Sequence, residues 1–253
     1  MRKIYVPLLA ILFGAAGLSN FAVSQDSMTL PNTVVSAADR SPEDRALDAG
    51  RKPAELLTFM GIQPGWRIAD LGAGGGYTTE LLQRAVGSDG KVYGQNSPAL
   101  LKMFAEKPWS ARLAKPVMKG VVRLDRDFDD PFRAGMPLLD AVTMVLFYHD
   151  TVWLGVNREA MNEAVFNALK PGGVFLIVDH SARSGDGTDV ASTFHRIEED
   201  VVRKEVQAAG FVLDAEADFL RNSEDTRLWN DSPRAAGERR GTSDRFVLRF
   251  RKP

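Results

Sequence analysis

The stretch from Trp66 to Tyr77 constrains this chain more than any other. An apolar run, Trp66-Arg67-Ile68-Ala69-Asp70-Leu71, ends in an acid and leads into Gly72-Ala73-Gly74-Gly75-Gly76, after which a helix-like segment opens at Tyr77. Strand, glycine turn and helix in that order make the first unit of an open α/β sheet. Glycine at 72, 74 and 76 lets the backbone turn at positive φ and come close to a ligand with no Cβ between them. The helix that follows aims its free N–H groups at the same place. The unit therefore predicts a site for a nucleotide-sized molecule.

The rest of the chain continues the alternation. Ser41-Pro42-Glu43-Asp44 carries a capping serine and a proline at the first helical position, which predicts a helix to about Met60, closed by Gly61 and Pro64-Gly65. A helix over Tyr77 to Val86, a short strand Lys91 to Gly94, a helix from Ser97-Pro98 to about Lys107 and a strand within Val117 to Leu124 follow. Leu138 to Phe147 is almost continuously apolar, as a central parallel strand buried on both faces must be. Asn157 caps a helix that ends at Lys170-Pro171-Gly172-Gly173, and Val174 to Val178 is a fifth strand. Arg183 to Asp189 reads as a mobile loop, and a further helix starts near Thr193 and stops at Gly210. Phe211 to Phe219 and Arg245 to Phe250 are strands with no crossover helix between them, so they are expected to pair antiparallel. The expected fold is α/β: a single Rossmann-like doubly wound sheet, mainly parallel, with a C-terminal antiparallel strand pair.

Residues 1–24 have a different character. Arg2 and Lys3 precede an apolar run from Ile4 to Leu18, and Ala22-Val23-Ser24 offers small residues for cleavage after Ser24. The run is shorter than the roughly 20 residues a spanning helix needs, which favours a cleaved signal peptide and a periplasmic or secreted protein, with no stable membrane anchor once cleaved; an uncleaved anchor is the alternative. Residues 25–40 read as a flexible leader and 41–253 as the folded domain. With no cysteine in the 253 residues, disulfides, thiolate nucleophiles and cysteine metal sites are excluded. The net charge of −1 and the short, interrupted basic runs carry no nucleic-acid footprint, so the expected partner is a small molecule.

Asp70-Leu71-Gly72-Ala73-Gly74-Gly75-Gly76, the Leu169-Lys170-Pro171-Gly172-Gly173 turn and the late antiparallel pair together resemble the class I S-adenosylmethionine-dependent methyltransferases, and within them a group of bacterial proteins with signal peptides. A dinucleotide oxidoreductase would need glycine at 77, where tyrosine stands. The resemblance implies S-adenosylmethionine as cofactor, with Gly72, Ala73, Gly74 and Gly76 at its methionine part and Asp70 orienting the turn or touching the amino group. It places Asn96 where the family has a ribose-binding acid, and Asp127, followed by Phe128, near the adenine. An amide there forgoes the charge-assisted bond. A non-catalytic or differently catalytic ligand-binding protein on the same fold is the alternative.

All three histidines fall at strand ends or just beyond: His149 after the fourth strand, His180 after the fifth, and His195 early in the next helix. Ligands of open α/β sheets bind beyond the carboxyl ends of strands, so the three are expected on one rim. His149 is the candidate general base, His180 and His195 are candidates to orient a small-molecule acceptor, and Tyr148 packs near the methyl group. A metal held by these histidines with Asp150 or Asp179 is the lesser option, because no closely spaced ligand pair supports it.

Overall fold

The computed structural model describes Met1 and residues 29–253, so the expected signal segment lies outside the described residues. Its centre is a seven-stranded sheet in the order β3-β2-β1-β4-β5-β7-β6. In chain order the strands are β1 (Arg67–Leu71), β2 (Lys91–Asn96), β3 (Val122–Asp125), β4 (Leu139–Val145), β5 (Leu169–His180), β6 (Val212–Ala217) and β7 (Arg245–Arg251). β1 to β5 pair parallel, and β7 lies antiparallel between β5 and β6.

Side-chain alternation assigns the strand residues to two faces. Ala69, Leu71, Val142, Met144, Phe175 and Ile177 join one buried cluster with Met161, Val165, Val202 and Val206 of the helices α8 (Arg158–Ala168) and α10 (Glu199–Ala208). Ile68, Ala141, Leu176 and Val178 join the other, with residues of α1 (Leu30–Ser36), α3 (Pro53–Met60) and α4 (Tyr77–Val86). Both faces are covered, which is why β4 and residues 174–178 of β5 read as nearly continuous apolar runs. Among the described residues no helix is long and apolar enough to cross a membrane.

Several boundaries differ from the sequence reading, each for a local reason. The segment expected as a flexible leader contains α1, whose Val34 is buried, and Arg40 grips Asp48 with two bonds of 2.7 Å. The expected helix from Ser41 to Met60 is two helices, α2 (Pro42–Arg51) and α3, because Lys52 turns at φ 44° ahead of Pro53. β3 starts only at Val122, since Pro116–Gly120 forms a 3₁₀ turn. The helix after Ser97 runs as α5 (Pro98–Leu100), a π turn at Leu101–Ala105, and α6 (Glu106–Leu113), beyond the expected end at Lys107.

Beyond β4 the chain enters the short α7 (Asp150–Trp153). The loop Arg183 to Asp189 is pinned, because the Glu198 carboxylate accepts N–H bonds from Gly185 and Gly187 at 3.0 and 2.9 Å. His195 is not early in a helix. It caps the end of α9 (Ala191–Phe194) in the left-handed region, and α10 begins only at Glu199.

Candidate functional site at the strand ends

β1 ends at Leu71 and the chain turns through Gly72, Gly74 and Gly76 at φ 66°, 54° and 80°. Asp70, buried beneath the turn, accepts hydrogen bonds from the Thr79 hydroxyl at 2.6 Å and the Thr143 hydroxyl at 2.8 Å. Burial pushes its carboxyl up to about 6. With one oxygen tied to α4 and the other to β4, Asp70 orients the turn instead of reaching a ligand.

The amides at the end of β2 also face inward. Gln95 Oε1 accepts from the Gly72 N–H at 3.0 Å, while its Nε2 donates to the Arg126 carbonyl at 2.6 Å. Asn96 Oδ1 accepts from the Gly74 N–H at 2.8 Å and its Nδ2 donates to the Gly74 carbonyl at 3.2 Å. Asn96 was expected to face ribose hydroxyls; it is fully buried and closes on the glycine turn instead. Neighbouring side chains occupy the space in front of the glycines. A Cβ at Gly72 would stand 2.6 Å from the Phe147 ring, and one at Gly76 would stand 2.5 Å from the Trp109 ring. Phe147 in turn stacks on Phe128, centroids 5.1 Å apart at 18°. Ala73 packs into the cluster around Trp109, and Asp127 is exposed beside the stacked rings.

Sequence reasoning missed a second feature on the other side of the first turn of α4. Arg51, Arg245, Tyr77, Thr78, Leu146 and Leu220 line a narrow cleft with a free volume of about 10 Å³, enough for one water-sized group. The Arg51 guanidinium lies 4.4 Å over the Tyr77 ring, and among the described residues no carboxylate pairs with it. Burial lowers its pKa. Arg245 is buried and donates to the carbonyls of Gly50, Ser243 and Gly241. Leu146 holds φ 59°, a conformation rare for a branched residue. Nothing in the spacing of Arg51 and Arg245 marks them as neighbours.

The three histidines do meet, at the ends of β4 and β5. Asp179, fully buried, organises them: Oδ1 accepts from His149 Nδ1 at 2.7 Å and from the His180 N–H at 2.8 Å, and Oδ2 accepts from the His149 N–H at 2.7 Å. This fixes the His149 ring with Nε2 pointing toward Asp150 Oδ1 at 3.0 Å and His195 Nδ1 at 3.3 Å. His195 Nδ1 is itself 3.1 Å from Asp150 Oδ1. Burial of His149 opposes its charge, but Asp179 and Asp150 overcome that and raise its pKa to about 10. Without a cation present the two carboxylates favour the protonated ring, which works against the general-base role expected of His149.

His180 is turned the other way. Its Nδ1 meets Ser243 Oγ at 2.8 Å and the Asp231 carboxylate, and burial lowers its pKa. Tyr148 does not reach the rim at all. It is fully buried between the sheet and α8, its hydroxyl donating to Glu205 at 2.8 Å and accepting from Asn162 at 2.8 Å. The aromatic residue at the rim is the exposed Trp153, edge-on to His195 at 6.3 Å, with its Nε1 donating to Asp150 at 2.8 Å. Arg221 to Asp225 is a structural brace: buried Asp225 holds Arg196 at 2.8 Å and Trp229 at 2.7 Å.

No family model matches the chain, and no curated protein does. Solved structures do share the fold. A SAM-dependent methyltransferase from Aquifex aeolicus superposes with a TM-score of 0.58 at 16% identity, covering 88% of this chain and 98% of that one. A methyltransferase from Haloferax volcanii, solved with its activator, gives 0.55 at 20% identity over 83% and 93% of the two chains. Aeropyrum pernix fibrillarin, solved with natively bound S-adenosyl-L-methionine, gives 0.52 at 14% identity over 81% and 76%. The chain has the methyltransferase fold: a seven-stranded sheet, mostly parallel, with the antiparallel strands at its C-terminal end.

Proposed function

We propose that this chain is an enzyme acting on a small molecule at the histidine rim. The observation that carries this reading is the Asp179–His149 pair, which locks a buried imidazole with its second nitrogen turned to Asp150 and His195 at the sheet edge where ligands of such folds enter. Methyl transfer from S-adenosylmethionine is the reaction the fold supports, being the activity in the names of its structural neighbours. The first turn of α4, with Arg51 and Arg245 beside it, supplies positive charge for the donor's carboxylate, and its water-sized cleft would have to widen to admit that group.

The donor's nucleoside end does not fit the residues that face it. Asn96 and Gln95 spend both ends of their amides on the protein's own backbone, and Phe147 stands against Gly72. That closure favours a second reading, in which the rim acts on its small molecule without a methyl donor. Calorimetric titration of the protein with S-adenosylmethionine, S-adenosylhomocysteine and NAD separates the two. Saturable heat with the sulfur compounds supports methyl transfer, and no heat at millimolar concentration removes it. Export belongs to the proposal as well, and N-terminal sequencing of the protein from its host tests it, with Gln25 the expected first residue.

A further inference from the structure

His149, Asp150 and His195 converge in a way that the fold does not require. Their three atoms His149 Nε2, Asp150 Oδ1 and His195 Nδ1 form a triangle with edges of 3.0, 3.1 and 3.3 Å, two from adjacent residues beyond β4 and the third from the distant end of α9. Two ring nitrogens and a carboxylate oxygen bound to one cation at about 2.0–2.1 Å stand about 2.8–3.0 Å apart in octahedral geometry and about 3.3–3.4 Å apart in tetrahedral geometry, and the observed edges span these values. We propose that His149, Asp150 and His195 form a facial binding site for one divalent transition-metal cation of the zinc or ferrous type.

Further observations support the site. The second ring nitrogen of His149 is bonded to buried Asp179 at 2.7 Å, the carboxylate–histidine pairing that sets the tautomer and aims the other nitrogen at a metal. Asp150 is steadied in the same way by Trp153 Nε1 at 2.8 Å. His195 reaches the triangle only because its backbone sits at φ 54°, a conformation disfavoured by about 1–3 kcal/mol that the surrounding structure maintains. Asp231 N–H, bonded to the Phe194 carbonyl at 3.0 Å, and Ile197 N–H, bonded to the His180 carbonyl at 3.0 Å, hold the chain on either side of it. Two carboxylates, the donor Asp150 and the supporting Asp179, flank His149, a concentration of negative charge that a dication neutralises. His195 and Asp150 keep 23% and 15% of their side chains exposed while His149 is buried, so the triangle lies at the boundary with solvent. A cation there has free positions for substrate or water and lowers the pKa of a bound hydroxyl, which activates it with no protein base. The site deepens the proposed role of the rim, and it stands whether or not a methyl donor binds.

The test is metal binding, read apart from any turnover. The full chain, expressed without a histidine tag and stripped with chelator, is titrated with Zn²⁺ by calorimetry and with Co²⁺ by visible absorption. One Zn²⁺ per chain, with a cobalt spectrum of mixed nitrogen and oxygen ligation, is expected. Asp150→Asn and His195→Gln, which keep side-chain volume, each weaken binding at least about tenfold, and Asp179→Asn weakens it about 10–100-fold through the ring it orients. Circular dichroism confirms that each variant is folded, and the wild-type titration decides alone if one is not. Absence of stoichiometric Zn²⁺ or Co²⁺ binding at about 100 μM overturns the proposal, as does binding of undiminished affinity in the Asp150→Asn, His195→Gln double variant. Both results leave the methyl-donor titration untouched, so failure of one does not count against the other.

Discussion

Replacing Asp70 by asparagine measures what the acid of the glycine turn does. The carboxyl is 2% exposed, and its pKa stands at about 6 against an ordinary 3.8 because burial disfavours the ion more than the two threonine hydroxyls favour it. A pKa raised in the folded state means the native protein keeps a proton the unfolded chain has released. The associated stability is fully present below the unfolded value and is lost as pH rises through the folded one. The gap between 3.8 and about 6 corresponds to about 3 kcal/mol, of which about 2 kcal/mol falls between about pH 4.5 and about pH 7.5. Asparagine does not titrate, and its amide can still accept from one of Thr79 and Thr143 while donating to the other hydroxyl. Urea unfolding of both proteins across that range should show the stability of wild type relative to Asp70→Asn declining by about 2 kcal/mol as pH rises. A difference that stays flat with pH would refute the claim that Asp70 is a buried acid held between two threonines. If Asp70 instead touched a ligand's amino group, the same substitution would weaken that ligand's binding, and no such loss is expected.

Three other outcomes follow from the packing. Gly72→Ala brings a Cβ to within 2.6 Å of Phe147 at φ 66° and should cost about 3 kcal/mol in denaturant unfolding. Part of that cost should return when Phe147 is also made leucine, and strictly additive losses would show that the two do not touch. Asn96→Ala strips partners from the N–H and carbonyl of Gly74 and should cost about 1–3 kcal/mol; Asn96→Asp restores the family's acid but faces that carbonyl, so calorimetry should find no gain in S-adenosylmethionine affinity. Tyr148→Phe removes a buried hydroxyl shared by Glu205 and Asn162 and should lower stability by about 1–2 kcal/mol while leaving ligand binding at the rim unaltered. A rim effect from that variant would restore Tyr148 to the site.

The candidate site was legible to unequal degrees. Strand ends announce themselves, so the placement of Asp70, His149 and His180 at one edge of the sheet follows from apolar runs that stop there. Orientation is a different matter: Tyr148 and His149 are adjacent, yet one side chain enters the core and the other faces the rim. Arg51 carries no local signal, since Arg245 and Leu220 lie far along the chain, and Trp153 meets His195 only through the fold although its bond to Asp150 is local.

By itself the sequence determined the α/β alternation, the central apolar strands, the glycine turn and the antiparallel end of the sheet. Each of these is set by a periodicity of burial or by a residue type the backbone demands within a few positions. Tertiary structure alone decided what the turn and the histidines face. Asn96 and Gln95 could have pointed to a ligand, but long-range packing directs them to Gly74 and Gly72. His149 and His195 stand 46 positions apart, and only the sheet's parallel crossovers and the left-handed turn at His195 bring their nitrogens to 3.3 Å. Local propensity specifies elements over a few residues, whereas a site is made by side chains meeting across loops whose closure no local pattern encodes.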